Sequence, residues 1–220
     1  MSDNDQLVIE PRGEADACMI ILHGLGADGR DFEPVVPMLP RPGYAQIRFI
    51  LPHAPRLPVT INGGMVMPAW YDILEMSLDR RVDEMQLRLS AERIKGVIQS
   101  QIDAGIDSRR ILLAGFSQGG AVAYEAAFSF DKPLGGLLAM STYFATANSI
   151  ELNEANRDLR VEIHHGSMDP VVPESLGRAA FARLEELGYH TVYRQYPMAH
   201  AVCPQQIGDI GEWMSELLGQ

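Results

Sequence analysis

Ile111-Leu-Leu-Ala-Gly-Phe-Ser-Gln-Gly-Gly-Ala-Val-Ala123 is the stretch whose reading decides the fold. The apolar run 111–114 has the character of a buried strand, and residues 121–128 read as a helix rich in alanine. Between them Gly115-Phe116-Ser117-Gln118-Gly119 fits G-x-S-x-G. A strand that turns sharply into a helix lifts the middle side chain from the sheet edge. Small residues two before and two after are required, because strand and helix nearly touch there. Roughly 0.1 chance matches to such a pentapeptide are expected in a chain of this composition. An ordinary tight turn is the alternative reading, but the strand before and the helix after favour a nucleophile elbow.

Working outward, the flanking chain repeats the strand–helix alternation. Residues 17–22 and 111–114 are continuous apolar runs, as in strands buried on both faces. Residues 6–10 read as an edge strand, and 47–51, 134–140, 160–164 and 191–196 as further strands. Helices are expected over 31–39, 79–104 and 121–128, around Leu176–Leu187 and at the C-terminus from Ile207 to Leu217. In the longest, Val82, Met85, Leu89, Ile94, Ile98 and Ile102 track one face and Gly105 lies near the C-cap. Residues 55–72 have no clear period and read as a long surface excursion. This alternation predicts an α/β fold: a mostly parallel sheet with helices on both faces, in one domain over 1–220.

Composition narrows the function. The 220 residues carry a formal net charge of −11, which argues against nucleic acid or an anionic membrane surface as partner. No apolar run reaches membrane-spanning length, and Met1-Ser-Asp-Asn-Asp-Gln6 lacks the features of a signal peptide. A cytoplasmic protein without integral membrane association is expected. Cys18 and Cys203, the only cysteines, lack metal-ligand spacing and are expected reduced. Neither metal nor cofactor is called for.

A serine hydroxyl at an elbow needs a base, and the base needs an orienting carboxylate, in the chain order Ser, acid, His. Both partners should sit at the carboxyl ends of strands. His164 and His165 come too early for that order, and His190 precedes the last strand. His200 lies just past that strand's end. Of the candidate acids, Asp131 and Asp158 precede strands, whereas Asp169 follows one at short range. The candidate constellation is therefore Ser117, Asp169 and His200. The backbone N–H groups of Gln118 and of Leu25, in the glycine-rich loop His23-Gly-Leu-Gly-Ala-Asp-Gly29, are candidate oxyanion donors. That loop lacks the endings of a phosphate-cradling motif.

Six motifs occur in order: His23-Gly-Leu-Gly-Ala-Asp-Gly29, Pro52-His-Ala-Pro55, Met67 with Trp70-Tyr-Asp72, Gly115-Phe-Ser-Gln-Gly-Gly120, His165-Gly with Asp169-Pro-Val-Val-Pro173, and His200 with Val202-Cys203. Together they resemble the carboxylesterase and acyl-protein thioesterase family of small α/β-hydrolases over nearly the whole chain. The resemblance implies the same triad and oxyanion donors, but the family includes hydrolases of simple esters, lysophospholipids and acylated proteins, so it does not fix the substrate; a small-molecule ester and no cofactor are expected. Hydrolysis of small to medium-chain esters is the leading expectation. Acyl-protein thioesterase or lysophospholipase action and a non-catalytic binding role are the alternatives, and a homodimer is left open. The chain departs at Ala201, where many members carry Ser. Residues 59–67 resemble a flap bordering the acyl pocket; within the 58–71 excursion Met65, Val66, Met67 and Trp70 are candidate substrate-binding residues, with ordinary core filling as the alternative. Gly63-Gly64 is the candidate hinge.

Overall fold

In the computed structural model, residues 5–41, 43–75 and 81–219 are described. Along the chain lie β1 (Gln6–Ile9), β2 (Ala17–Leu22), β3 (Ile47–Pro52), β4 (Arg56–Val59), β5 (Met65–Pro68), β6 (Ile73–Glu75) and β7 (Arg81–Val82). There follow α1 (Glu84–Asp103), β8 (Ile111–Phe116), α2 (Gln118–Phe128), β9 (Gly136–Met140), β10 (Val161–Gly166), α3 (Glu174–Glu186), β11 (Thr191–Tyr196) and α4 (Pro204–Leu218).

Seven strands form one sheet in the order β1-β3-β2-β8-β9-β10-β11. Only β1 is antiparallel to its neighbour; the other pairings are parallel. From β2 the chain steps outward to β3, and after α1 it returns on the other side of β2 as β8. The strand order reverses there, so the loops leaving β2 and β8 diverge and open a crevice at the carboxyl ends of the strands.

The continuous apolar runs are explained by cover on both faces. In β2, Cys18, Ile20 and Leu22 join α1, α2 and α3 in one core, while Ala17, Met19 and Ile21 face α4 and Trp213 in the other. With period-2 side-chain alternation, such a strand needs apolar residues at every position. Among the described residues, no helix is long and apolar enough to cross a membrane.

Three local expectations are corrected. The expected helix over 31–39 is two short 3-10 turns, Gly29–Phe32 and Val36–Met38. Pro34 and Pro37 cannot donate to a helical ladder. Most of the excursion over 55–72 is an antiparallel hairpin of β4 and β5 around the 3-10 turn Thr60–Asn62. The long helix begins at Glu84, capped by the Asp83 carboxylate, and positions 79 and 80 of the expected span lie outside the described residues. Its buried face is Leu87, Ala91, Ile94, Val97 and Ile98; Met85 and Leu89 are 74% and 65% exposed.

Candidate active site

Ser117 joins β8 to α2 with φ 53° and ψ −122°, a strained conformation for a residue bearing a Cβ. Its N–H donates to the Met140 carbonyl, and its own carbonyl accepts from Thr142 Oγ1 at 2.6 Å. Both bonds come from the end of β9, so the neighbouring strand locks the turn. The small residues at the flanks are sterically compelled. A Cβ on Gly115 would collide with the backbone of Gly119 and Gly120, and one on Gly119 would lie 2.5 Å from the Leu22 and His23 carbonyls.

Asp169 follows β10 and His200 follows β11, and the parallel register of these strands brings the two loops side by side. His200 Nδ1 donates to Asp169 Oδ2 at 2.7 Å. The other carboxylate oxygen accepts the N–H groups of Val171 and Val172, each at 2.9 Å. The carboxylate, completely buried, is thus fixed by three donors, while the His200 side chain keeps 17% exposure. With Nδ1 engaged by Asp169, Nε2 is left on the opposite side of the ring. The Phe116 ring packs on the imidazole at 4.7 Å between centroids.

Ser117 and His200 line a cavity of about 460 Å³ together with Leu25, Asp31, Phe32 and Phe116. A second cavity of about 210 Å³ opens on the other side of Ser117, between Leu25, Ile61, Ile73, Gln118, Tyr143 and Val171. The serine stands between a wider space and a narrower one, both mostly apolar.

The loop after β2 is pinned on every side except one. His23 Nδ1 donates to the Gly24 carbonyl at 2.8 Å and Nε2 accepts from Ala54 N–H at 3.0 Å, which fixes its tautomer. Burial pushes His23 below the ordinary histidine value, against the pull of the Gly24 carbonyl, so the ring is neutral at pH 7. The Trp70 indole N–H donates to the His23 carbonyl, and Gly26 N–H donates to Pro68. Among the described residues, Leu25 N–H has no backbone acceptor. Gln118 N–H, at the first position of α2, has no intrahelical one. Both residues line the space around Ser117.

Gln118 has a further duty that its sequence position conceals. Its side-chain oxygen accepts from Trp70 N–H at 2.8 Å and its amide donates to the Tyr71 carbonyl at 2.6 Å. The elbow thereby clamps the segment that follows the β4–β5 hairpin. The available signal was a glutamine opening a helix whose residues are otherwise almost all small or apolar.

The proposed flap residues separate. Met65 and Val66 are 64% and 52% exposed at the hairpin, and Met67 accepts a hydrogen bond from Asn62 at 3.2 Å. None of the three lines either cavity. Trp70 is corrected outright: it is fully buried, with its ring bound to the His23 carbonyl, and presents no surface to a ligand. The hairpin does reach the site, but through Ile61 and Asn62 in its turn. Sequence reading passed over these two, along with Ile73, Tyr143, Asp31 and Phe32.

Of the residues set aside, Asp158 lines a separate cavity at the opposite end of the sheet, and His190 precedes β11 on the surface. His164 is sealed inside β10. His165, one residue past the strand expected over 160–164, is the next strand residue and donates to the Val172 carbonyl at 2.9 Å. Both cysteines are free. Cys18 is buried, which pushes its thiol up strongly, and Cys203 is the N-cap residue of α4. Among the described residues, no three His, Cys, Asp or Glu side chains are grouped to hold a metal ion.

Residues 3–218 match the Phospholipase/Carboxylesterase family. The chain is 34% identical over 223 residues to acyl-protein thioesterase 1 of Gibberella zeae, covering 96% of this chain and 95% of that protein. It is 35% identical over 231 residues to acyl-protein thioesterase 1 of Cryptococcus neoformans, covering 96% and 97%. Among solved structures, Zea mays acyl-protein thioesterase 2 superposes with a TM-score of 0.86 at 25% identity, covering 97% of this chain and 99% of that one.

Proposed function

The chain belongs to the phospholipase/carboxylesterase family of α/β-hydrolases and is an ester-hydrolysing serine hydrolase, and on that premise we propose that Ser117, His200 and Asp169 form its catalytic triad. Leu25 and Gln118 N–H are the oxyanion donors in this reading. The proposed substrates are oxoesters and thioesters of short to medium acyl chains. The observation that carries the proposal is that one crevice holds a strained serine and a histidine bonded to a buried carboxylate.

In this mechanism Ser117 Oγ gives its proton to His200 Nε2 and attacks the acyl carbon. The carbonyl electrons move onto oxygen, which the Leu25 and Gln118 N–H groups stabilise. Asp169 holds the imidazole in the tautomer that leaves Nε2 free, and stabilises the imidazolium that forms. As the oxyanion collapses, the carbon–oxygen or carbon–sulfur bond breaks. The leaving atom takes the proton from Nε2. Water, deprotonated by the same nitrogen, then attacks the acyl-enzyme; its collapse releases the acid and returns the proton to Ser117.

The smaller cavity supports the acyl-length reading. At about 210 Å³ it falls below the roughly 300–1,000 Å³ of most small-molecule sites. Each methylene accommodated adds about 0.8 kcal/mol until the wall at Ile61 and Ile73 is met. The similarity to acyl-protein thioesterases at 34–35% identity supports a second reading, in which a thioester on a protein is the substrate. Oxoesters and thioesters of matched chain length, assayed side by side with wild type and Ser117→Ala, test both. Activity surviving in Ser117→Ala overturns the mechanism, and a thioester preference that grows with chain length favours the second reading.

A further inference from the structure

The proposed mechanism gives the two cavities beside Ser117 different occupants, and the inference that follows rests on that mechanism. The group that protonates the leaving atom must come within hydrogen-bond reach of it. His200 lines the 460 Å³ cavity and is not part of the 210 Å³ one. The leaving group therefore departs into the larger space, and the acyl chain occupies the smaller.

These two spaces differ in charge. The acyl side contains no Asp, Glu, Lys or Arg. On the leaving-group side Asp31 is the only such residue. It sits in the first turn after the β2 loop, with no Lys or Arg ion-pair partner among the described residues. Its neighbour Arg30 does not line the cavity. Phe32, next in sequence, and Phe116 line the same cavity, and their rings meet edge to face with centroids 6.2 Å apart. A carboxylate in a cavity walled in part by aromatic rings is the chemistry that recognises an ammonium group, since both attract positive charge and neither requires a hydrogen-bond donor on the ligand. The formal net charge of −11 adds a field of the same sign.

We propose that Asp31, Phe32 and Phe116 form a leaving-group subsite that selects esters and thioesters whose alcohol or thiol portion carries an ammonium charge. Asp31 is a specificity residue in this scheme and takes no part in proton transfer. Being exposed, it acts through partly screened electrostatics, so its effect is several-fold and depends on salt.

An isosteric pair of probes isolates the charge: butyrylcholine and 3,3-dimethylbutyl butyrate, in which carbon replaces the quaternary nitrogen. In wild type at low ionic strength, the kcat/KM ratio of the charged to the neutral ester is expected at about fivefold, falling toward one in ~0.5 M salt. Asp31→Asn should lower the low-salt ratio toward one. Glu33→Gln, a charge change outside the cavity, should leave the ratio in place, with melting temperatures verifying that both variants fold. A wild-type ratio of one or less, hydrolysis of neither ester, or a ratio insensitive to Asp31→Asn overturns the proposal. Moving the trimethylammonium group to the acyl chain tests the assignment of sides: an Asp31-dependent preference for that ester would reverse it. If both butyrates are hydrolysed as fast by Ser117→Ala as by wild type, the proposed mechanism fails instead. These outcomes are distinguishable.

Discussion

Two histidine–carboxylate pairs flank the end of β10, and they are nearly the same bond. His200 donates to Asp169 at 2.7 Å and His164 donates to Glu162 at 2.8 Å. Everything around the bonds differs. His200 stands on a loop beside a strained serine and keeps 17% exposure toward a cavity. His164 is fully buried in a strand, its partner shared with Arg194 Nε at 3.0 Å and its second nitrogen 3.3 Å from the Tyr196 hydroxyl. A short bond between imidazole and carboxylate is thus a structural element in one place and, in the proposed mechanism, a working part in the other. Access to the far nitrogen separates them.

The largest difference should appear on removing each carboxylate's charge. Asp169→Asn can still accept from Val171 and Val172, but its amide would face His200 and favour the wrong tautomer. A loss of roughly 10³–10⁴ in kcat is expected, with the melting temperature little changed. Glu162→Leu should do the reverse. It strands His164 and Arg194, one fully buried and the other about one-third exposed, at a cost of about 3 kcal/mol in urea unfolding and with kcat/KM within several-fold of wild type. If Glu162→Leu silenced the enzyme while remaining as stable as wild type, the contrast between the pairs would collapse.

Titration sharpens the contrast at intermediate size. Burial lowers His23, His164 and His165 below the ordinary histidine value, against hydrogen bonds to Gly24, Glu162 and Val172 that pull the other way. Burial also opposes ionisation of Glu162, yet the bonds from His164 and Arg194 prevail and hold it below the usual carboxylate range. A histidine lowered on folding contributes stability that is complete above about pH 6.5 and is lost as pH falls below it. Glu162 contributes above about pH 4.3 and loses that only in stronger acid. Between pH 7.5 and 5.5 the buried histidines therefore lower the unfolding free energy as pH falls. Each can contribute up to about 1.4 kcal/mol per pH unit. His164→Gln should flatten the slope in that window; an unchanged slope would mean that His164 is not held neutral.

The outer pair was legible in the sequence and the inner one was not, for a physical reason. Ser117, Asp169 and His200 each lie just past a strand, and the carboxyl ends of parallel strands must gather at one edge of the sheet. Chain order and strand ends were enough to select them. Glu162 and His164 lie on one face of a strand, by alternation, but nothing in the sequence says that Arg194 and Tyr196 of the last strand and Asp209 of the last helix gather around them. The same limit hid the cavity walls. Ile61 and Asn62 come from a hairpin whose Pro58 and Gly63-Gly64 interrupt any alternating pattern, while Met65 and Val66, adjacent in sequence, point to solvent. The face of α1 is legible at Ile94 and Ile98 but not in its first turns, because apolar spacing alone cannot distinguish exposed Met85 and Leu89 from buried Leu87 and Ala91.

The smallest expected effect asks whether the inner pair supports the outer one at all. The Tyr196 hydroxyl donates to Asp209 Oδ2 at 2.8 Å, joining the end of β11 to α4, and residues 197–203 between them carry His200. Tyr196→Phe removes that bond and the longer 3.3 Å contact with His164 Nδ1. Other contacts remain to hold the loop: Ser167 N–H donates to the Tyr196 carbonyl, Met168 N–H to Met198, and His200 itself remains tied to Asp169. Asp209 is only partly buried and can recover water in place of the phenol. The cost should therefore be near one ordinary hydrogen bond, about 1 kcal/mol, or about 2–4 °C in melting temperature. kcat/KM should stay within about threefold, because no atom of the proposed triad loses a partner. Thermal melts and steady-state kinetics on the same preparation separate the possibilities. A tenfold or greater fall in kcat at an unchanged melting temperature would mean that the inner network sets the position of His200, and that the two pairs form one device.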